Sequence, residues 1–452
     1  MSYKVMALIL GVLFMAGICD AQSRQEKGSA IQVTLNEPAV ASQAEQTGLV
    51  WGIWQFPRFI AAQPGKPAIV YSMFPDDATM AAEAYRGSGI AISDDTGKSW
   101  RRVERASVMK DLHAYVYFSV RPNGDGVALE CPPVTELALD KLPPVAGRLD
   151  HGYGGFYDAR PAPALPQDAA QWHFLLRKGK ATQWERIPAT IDDPGAAYIS
   201  TDHQDKGHAV MFWYSPMQVL ELKDRSLMAI VYGARLGTDG KANQRFQSWC
   251  LRSADNGRTW TFQGVIGPDP SPPLAGYTEP TATVLPDGSL LAVLRTTTAQ
   301  LGSLYVSRSQ DSGKTWSEPE ILYSFGVMPR LLTLRNGVTI LAFGRPGAYL
   351  LFSNDSKGKR WGQLTPLVKE EVAHSAGAAD AQKTDDSHGP AFPPGTSSYP
   401  YMSRSSGYMD LLATGPDSFL VVYDQFDYPN KKGEPRKTIL VRGVTANVKG
   451  AK

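Results

Sequence analysis

The chain has 452 residues and a formal net charge of +2, with 43% hydrophobic and 20% charged side chains. These values are typical of a globular protein with a large core, and the balanced charge argues against nucleic acid or a membrane surface as a partner. The three cysteines include no Cys-x-x-Cys pair and the seven histidines form no metal-binding motif, so we expect neither a metal nor another cofactor.

The first 21 residues have the pattern of an export signal. Lys4 precedes an apolar run over residues 5–18, which is too short to span a bilayer as a helix. We therefore predict a secreted or periplasmic protein without a membrane span, in which a lead segment over residues 22–48 follows the signal. A lipid anchor on Cys19 is the alternative, and the bulky residue before it disfavours that modification.

An eight-residue phrase, Ser-x-Asp-x-Gly-x-Ser/Thr-Trp, recurs along the chain. Three clean copies, and a fourth with one extra residue before its glycine, begin at Ser93, Ser253, Ser309 and Ser353 and end at Trp100, Trp260, Trp316 and Trp361. Ser and Asp bind nearby backbone groups, Gly takes a positive φ, and Trp packs at the start of the next strand, so each copy predicts a hairpin. We predict that the four tryptophans occupy equivalent positions on successive hairpins.

Between these copies run pairs of strands joined by tight turns, as at residues 282–293 and 331–342. Successive copies in the second half lie roughly 50 residues apart, which suits one four-stranded blade per interval. The sequence therefore predicts an all-β, six-bladed propeller within residues 49–448, with a seventh blade left open. The expected blades lie near residues 50–105, 106–208, 209–268, 269–322, 323–366 and 400–448.

Two stretches interrupt this pattern. Residues 140–190 are rich in Pro, Gly, Ala and Asp, so we expect an excursion from the second blade, followed by a degraded copy of the phrase at Ser200, Asp202 and Gly207. Residues 369–398 have few large apolar side chains, and they form either a surface loop or a lid over the central cleft.

The repeated phrase resembles the Asp-box of the sialidase-like β-propeller superfamily, which is also known for its BNR repeats. The resemblance covers about residues 50–445, and the box itself belongs to the scaffold. Its exo-sialidase members imply a glycoside hydrolase that removes a terminal acidic sugar, sialic acid or a related one, from a glycan. The expected partner is therefore a glycan substrate, and the resemblance implies that this substrate is anionic.

The resemblance also implies roles for individual residues. Glu279 opens an inner strand and Arg295 ends the next strand, where the family places a glutamate and an arginine that binds the substrate carboxylate. Arg345 occupies the same position one blade later, and Arg330 competes with it because it heads an inner strand. A structural salt bridge is the alternative role for Glu279.

Tyr408 lies in a segment that resembles the closing motif of the family, in which a tyrosine is the catalytic nucleophile. A free phenol has a pKa of about 10, so it needs a carboxylate to take its proton, and the resemblance assigns that task to Glu279. A neutral nucleophile avoids repulsion from an anionic sugar. A tyrosine that merely packs in the last strand remains the alternative.

The family's general acid is an aspartate in the loop after the first inner hairpin. Asp77 is the favoured counterpart, with Asp76 second and Glu83 third. Each of them can equally be a solvated loop charge.

The chain departs from the family at the first carboxylate-binding arginine. Gln55 stands two residues before Pro57, where the family has arginine, and Arg58 would face away by strand alternation unless a bulge redirects it. This departure leaves open a polysaccharide lyase, a non-sialic glycosidase or a non-catalytic glycan-binding propeller. An unusual mechanism through His151 and His208 is a further alternative, and the pairing of Cys131 with Cys250 is also left open.

Overall fold

The computed structural model describes residues 31–63, 66–74, 87–104, 116–150, 156–162, 170–181, 183–212, 216–268, 276–296, 302–369 and 404–448. Throughout these ranges the chain is built from β-strands without an α-helix, apart from two 3-10 turns at Leu139–Lys141 and Gln204–Lys206. The predicted all-β architecture is therefore confirmed. The export signal and nearly all of the predicted insert at residues 369–398 lie outside the described residues.

Most of the strands form antiparallel units, usually four-stranded, that follow one another along the chain. The second and third units join through one parallel pair of strands into an eight-stranded sheet. Strands β1 (Ile31–Leu35) and β2 (Ala39–Gln43) precede the first unit. Unit 1 contains β3 (Gln55–Gln63), β4 (Lys66–Ser72), β5 (Ser88–Ile92) and β6 (Arg101–Val103). Unit 2 starts with β7 (Ser119–Val120) and β8 (Gly126–Glu130). After an excursion through β9 (Thr135–Ala138), β10 (Gly147–Asp150) and β11 (Phe156–Pro161), it is completed by β12 (Trp172–Arg177) and β13 (Glu185–Asp192).

The second half of the chain repeats the plan. Strands β14 (Ala197–His203) and β15 (His208–Phe212) follow unit 2, and unit 3 contains β16 (Gln218–Glu221), β17 (Leu227–Gly233), β18 (Gln247–Ser253) and β19 (Thr259–Ile266). Unit 4 contains β20 (Thr278–Val284), β21 (Leu290–Arg295), β22 (Leu304–Ser309) and β23 (Glu320–Tyr323). Unit 5 contains β24 (Val327–Thr333), β25 (Thr339–Gly344), β26 (Ala348–Ser353) and β27 (Thr365–Val368). Unit 6 contains β28 (Met409–Ala413), β29 (Ser418–Pro429) and β30 (Pro435–Val448).

The excursion from unit 2 forms a separate five-stranded sheet in the order β10-β11-β14-β15-β9. Ser200 and Asp202 lie on β14, where the Arg160 guanidinium donates to the Ser200 hydroxyl at 3.1 Å and to the Asp202 carboxylate at 2.7 Å. The Ser200 hydroxyl donates to Asp202 Oδ1 at 3.0 Å, as the serine does to the aspartate in the clean copies, and Gly207 has a φ of 70° in the turn that follows. Because Ser200 and Asp202 also pair within the excursion sheet, the degraded copy of the phrase stays a prediction.

A hydrophobic core fills each junction between consecutive units, and the series closes on itself. Leu175 of unit 2 packs with Ile60 of unit 1, and similar cores join units 2 to 6 in order. The last core joins unit 6 to unit 1, where Leu420 packs with Phe59 and Tyr71. The first strands of the units likewise contact one another in sequence and back to β3. The units therefore form a closed ring with their first strands innermost.

Strand β30 completes the closure. One of its edges pairs with β29, and its other edge pairs with β1 and then with β2, so that Ile31 lies opposite Val448 and Ala39 opposite Val441. Residues from the two ends of the described chain thus share one sheet.

The four copies of the phrase form the hairpins between the third and fourth strands of units 1, 3, 4 and 5. In each copy the indole nitrogen of tryptophan donates to the carbonyl of the box glycine, at 3.1 Å for Trp100, 2.9 Å for Trp260, 3.1 Å for Trp316 and 3.2 Å for Trp361. The predicted equivalence of the four tryptophans is confirmed. Cys250, in unit 3, is a buried free thiol, so it does not pair with Cys131.

Candidate active site

Three innermost strands carry the same backbone irregularity at their second residue. Phe56 in β3, Glu279 in β20 and Met328 in β24 each have a positive φ, of 55°, 41° and 45°, and each precedes a proline at a register shift. Proline cannot donate to the ladder, and a bulge accommodates it. A non-glycine residue at positive φ costs about 1–3 kcal/mol and is concentrated at functional sites.

A short hydrogen bond joins Glu279 of unit 4 to Tyr408, which directly precedes the first strand of unit 6. The Tyr408 hydroxyl donates to Glu279 Oε1 at 2.6 Å, and Arg295 Nη1 lies 2.7 Å from the same oxygen and 3.3 Å from the hydroxyl. The backbone N–H of Met328 donates to Oε2 at 2.9 Å. Direct proton transfer from the phenol to the carboxylate therefore needs no relay.

The pair differs in protonation. Burial alone would raise the pKa of Glu279, but the charge of Arg295 and the hydrogen bond from Tyr408 outweigh it and hold the pKa below its usual value. Burial, with the Glu279 charge beside it, raises the pKa of Tyr408 well above 10. At neutral pH the site thus contains a carboxylate acceptor and a neutral phenol donor.

Arg345 completes this group. Its Nε donates to the carbonyl of Ser406 at 3.1 Å, and its guanidinium lies 5.3 Å from the ring centroids of both Trp51 and Tyr408. The structure therefore brings together Glu279, Arg295, Arg345 and Tyr408, four of the predicted site residues, from units 4, 5 and 6.

Arg58 and Arg330 meet at a second tyrosine. Their guanidinium carbons lie 4.9 and 4.5 Å from the ring centroid of Tyr117. Arg330 Nε lies 3.6 Å from Asp410, and Arg330 Nη1 donates to the Met217 carbonyl at 3.0 Å. The bulge in β3 has redirected Arg58, so simple strand alternation does not describe it.

Gln55 does not take the place of a carboxylate-binding arginine. Its side chain is fully buried, and its Oε1 accepts the N–H of Gly52. The neighbouring Phe56 lies beside the nucleophile candidate instead, with its ring centroid 4.7 Å from that of Tyr408. The aromatic ring of Phe56, one residue after the position that differs from the family pattern, therefore faces the site.

The sequence did not point to several residues of this region. Tyr117 lies in no recognisable motif, and only its place just before the inner strand of unit 2 could have suggested it. Asp410 follows Tyr408 by two residues, so the alternation of strand β28 could have found it. Its Oδ2 accepts the N–H of Phe59 at 2.9 Å, and burial raises its pKa although Arg330 opposes the shift.

Some of the predicted site residues are not among those that the structure brings together. Asp76, Asp77 and Glu83, the candidates for a general acid, lie outside the described residues, as does His151. His208 lies on the excursion sheet, 3.9 Å from Glu136. Within the ranges that the structure describes, no group of three or more His, Cys, Asp or Glu side chains could hold a metal ion. Over the same ranges no helix is long and apolar enough to cross a membrane.

Among the residues that the structure describes, the side chains around Tyr408 and Tyr117 carry more positive than negative charge. The cations are Arg58, Arg295, Arg330 and Arg345, and the carboxylates that contact them are Glu279 and Asp410. Planar guanidinium groups bind carboxylates in a bidentate manner, and four of them lie in this region.

Comparisons with known proteins concern the family and the fold. Residues 161–411 match the profile of the BNR repeat-like domain. A crystal structure of a protein of unknown function from Dyadobacter fermentans DSM 18053 is similar, with a TM-score of 0.58 at 16% identity over 92% of this chain and 99% of that one, and the two share a fold.

Two further solved structures are more distant. A Hadza microbial sialidase has a TM-score of 0.47 at 12% identity over 85% of this chain and 65% of that one. An α-L-arabinanase from Penicillium chrysogenum, complexed with arabinobiose, has a TM-score of 0.49 at 13% identity over 90% of this chain and 98% of that one. No curated protein sequence matches the chain.

Proposed function

Because the chain belongs to the family of BNR repeat-like domains, we propose that its ring is a six-bladed, sialidase-like β-propeller that carries a glycosidase site. The units would be the blades, each with its first strand lining the centre. The shared cores between consecutive units, including the one between units 6 and 1, support this count. The apolar run near Lys4 further supports export from the cytoplasm.

The proposed reaction is hydrolysis of a terminal acidic sugar from a glycan. The observation that carries it is the 2.6 Å hydrogen bond from Tyr408 to Glu279, with Arg295 bound to the same carboxylate. This arrangement has a neutral nucleophile, an ionised base beside it and cations close by, as an anionic substrate requires.

The steps follow from this geometry. The Tyr408 oxygen attacks the anomeric carbon while its proton passes to Glu279. The bond to the leaving oxygen breaks, and that oxygen takes a proton from the general acid, for which Asp77 is the proposed residue and Asp76 or Glu83 the alternatives. Water then attacks the same carbon and gives a proton to the general acid, which was deprotonated in the first step. The bond to Tyr408 breaks, and Glu279 returns the proton to the Tyr408 oxygen.

Arg295, Arg345 and Arg58 are proposed to bind the substrate carboxylate. The redirection of Arg58 toward the ring interior supports a role for it in place of Gln55. A non-sialic glycosidase is the second candidate, because the buried Gln55 leaves the usual first arginine position without a cation.

The test is a screen of the purified protein against sialosides, rhamnosides and uronate polymers, with Tyr408→Phe beside it. We expect release of a 2-keto acid sugar by the wild type and a loss of more than about 10³-fold in turnover for the variant. Tyr423→Phe is the matched control, since Tyr423 is a buried tyrosine of unit 6 with no role in the reaction.

Other outcomes separate the alternatives. Full activity in Tyr408→Phe would refute the nucleophile. Release of rhamnose alone would favour the non-sialic glycosidase. New ultraviolet absorbance from an unsaturated sugar would indicate a lyase, and binding without turnover would indicate a glycan-binding propeller.

A further inference from the structure

Asp424 is a fully buried carboxylate on β29 that accepts hydrogen bonds from two separate segments. The Ser405 hydroxyl donates to Oδ1 at 3.0 Å, the Ser406 backbone N–H donates to the same oxygen at 2.7 Å, and the Ser406 hydroxyl donates to Oδ2. From unit 1, the N–H of Phe56 donates to Oδ2 at 3.2 Å. One side chain thus ties the entry to β28 to the bulge of β3.

The groups that Asp424 holds are attached in turn to the site. The Ser406 hydroxyl accepts the N–H of Tyr408 at 3.2 Å, and the Ser406 carbonyl accepts Arg345 Nε at 3.1 Å. Phe56 packs against the Tyr408 ring at 4.7 Å. The carboxylate is therefore linked through Ser406 to Tyr408 and to Arg345. It is linked through the Phe56 backbone to the aromatic ring beside Tyr408.

The segment between these groups has almost no room to move independently. Gly407 has a φ of 74°, and a side-chain carbon at this position would lie 2.4 Å from the backbone nitrogen of Arg345. Because the two backbones touch, a shift of residues 405–407 displaces Tyr408 and Arg345 together.

We propose that Asp424 is a positioning residue for the reaction, an inference that rests on the proposed glycosidase function. It sets the placement of Tyr408 relative to Glu279 and that of Arg345 relative to Tyr408. A carboxylate suits this task because all four of its partners are donors. An asparagine would place an NH₂ group where two of these donors point.

The test compares kcat and KM of each variant with those of the wild type, with kcat expressed per folded molecule. Asp424→Asn should lower kcat by about 10²-fold, since a displacement of 1 Å in a reacting group has a cost of that size, and it should raise KM through Arg345. Ser406→Ala leaves the bonds from Ser405 and Phe56 in place but removes the link to Tyr408, so kcat should fall by a smaller factor. Asp193→Asn is the control, because Asp193 is a buried aspartate that binds Arg235 beside the excursion sheet.

A purely structural role predicts a different pattern. It would lower the melting temperature of Asp424→Asn while leaving kcat and KM per folded molecule at wild-type values, and that result would overturn the proposal.

A crystal structure of Asp424→Asn keeps this test separate from the test of the proposed function. If the wild type turns over none of the substrates, the proposed function fails, and the positioning role is then judged by geometry. Separation of Tyr408 Oη and Glu279 Oε1 beyond about 3.5 Å would support it. An unchanged 2.6 Å contact would contradict it.

Discussion

The outer hairpins and the innermost strands both repeat around the ring, but they repeat in different ways. At the hairpins the residue types recur, because Asp and Trp each make a local hydrogen bond through the side chain and Gly takes a positive φ. The Asp311 carboxylate, for example, accepts the Thr315 hydroxyl and backbone N–H. At three of the innermost strands a bulge before a proline recurs, but the residue in the bulge differs and is Phe56, Glu279 or Met328.

This difference shows where function is located in a ring of repeats. A position whose hydrogen bonds are all made within its own hairpin keeps its residue type from unit to unit. A position that faces the centre keeps its conformation but changes its side chain, because each side chain there meets different partners. The following substitutions test that division, since those at the centre should alter turnover and those at the hairpins should alter stability.

Glu279→Gln should have the largest effect. Glutamine keeps the shape of the side chain but cannot take a proton from Tyr408, so turnover should fall by about 10²–10⁴-fold while the fold is retained. Steady-state kinetics and thermal unfolding measure the two quantities. Glu130→Gln is the control, since Glu130 is a buried glutamate that binds Arg186 in unit 2. Equal losses of turnover in both variants would contradict the idea that substitutions at the centre, rather than elsewhere in the units, alter turnover.

Gly257→Ala should have the next largest effect, on stability alone. Gly257 has a φ of 86°, and an added side-chain carbon would lie 2.3 Å from the Phe174 ring of unit 2. We expect a loss of about 1–3 kcal/mol in the free energy of unfolding, measured in urea, with kcat unchanged.

Gly240→Ala is the matched control, because Gly240 has a φ of 74° with open space around it. It should show only the smaller backbone cost. A fall in kcat for Gly257→Ala, measured on folded protein, would show that hairpins also shape the centre.

The pH dependence of the free energy of unfolding should reveal a smaller effect at the hairpins. Hydrogen bonds from the Thr315 hydroxyl and backbone lower the pKa of Asp311 from 3.8 to about 2. A lowered folded-state pKa contributes stability above pH 3.8, and that contribution is lost as the pH falls through about 2. Asp311→Asn should therefore be less stable than wild type at neutral pH, with a difference that shrinks toward pH 2 in urea unfolding. A difference that is constant with pH would exclude this cause.

The lowered pKa of Glu279 has the parallel consequence for activity. The carboxylate must be ionised to accept the phenol proton, so the acid limb of kcat/KM that it causes should lie below its usual pKa of 4.5. An acid limb above that value would assign it to another group.

The sequence predicted the hairpins well and the centre only in part. The four tryptophans were found because the phrase is made of local bonds. Glu279, Arg295, Arg345 and Tyr408 were found through their resemblance to a family, and the structure brings them together.

Other parts of the centre depend on contacts between units that are distant in sequence. Tyr117 meets Arg58 and Arg330 only across such contacts, and Asp424 reaches Phe56 in the same way, so no local pattern indicates these contacts. The direction of Arg58 depends on a bulge, and the sequence left that bulge as one of two possibilities.

The pairing of β1 and β2 with β30 has a consequence for the order of events in synthesis. Residues 31–43 are made roughly 400 residues before their partners at 438–448. At about 5–20 residues per second, these two strands wait some tens of seconds on the ribosome before the ring can close. The entropy of closing so long a loop grows only logarithmically, so the delay rather than the free energy is the hazard. During that interval the edges of these strands have no partner within the chain and are exposed to pairing with other chains.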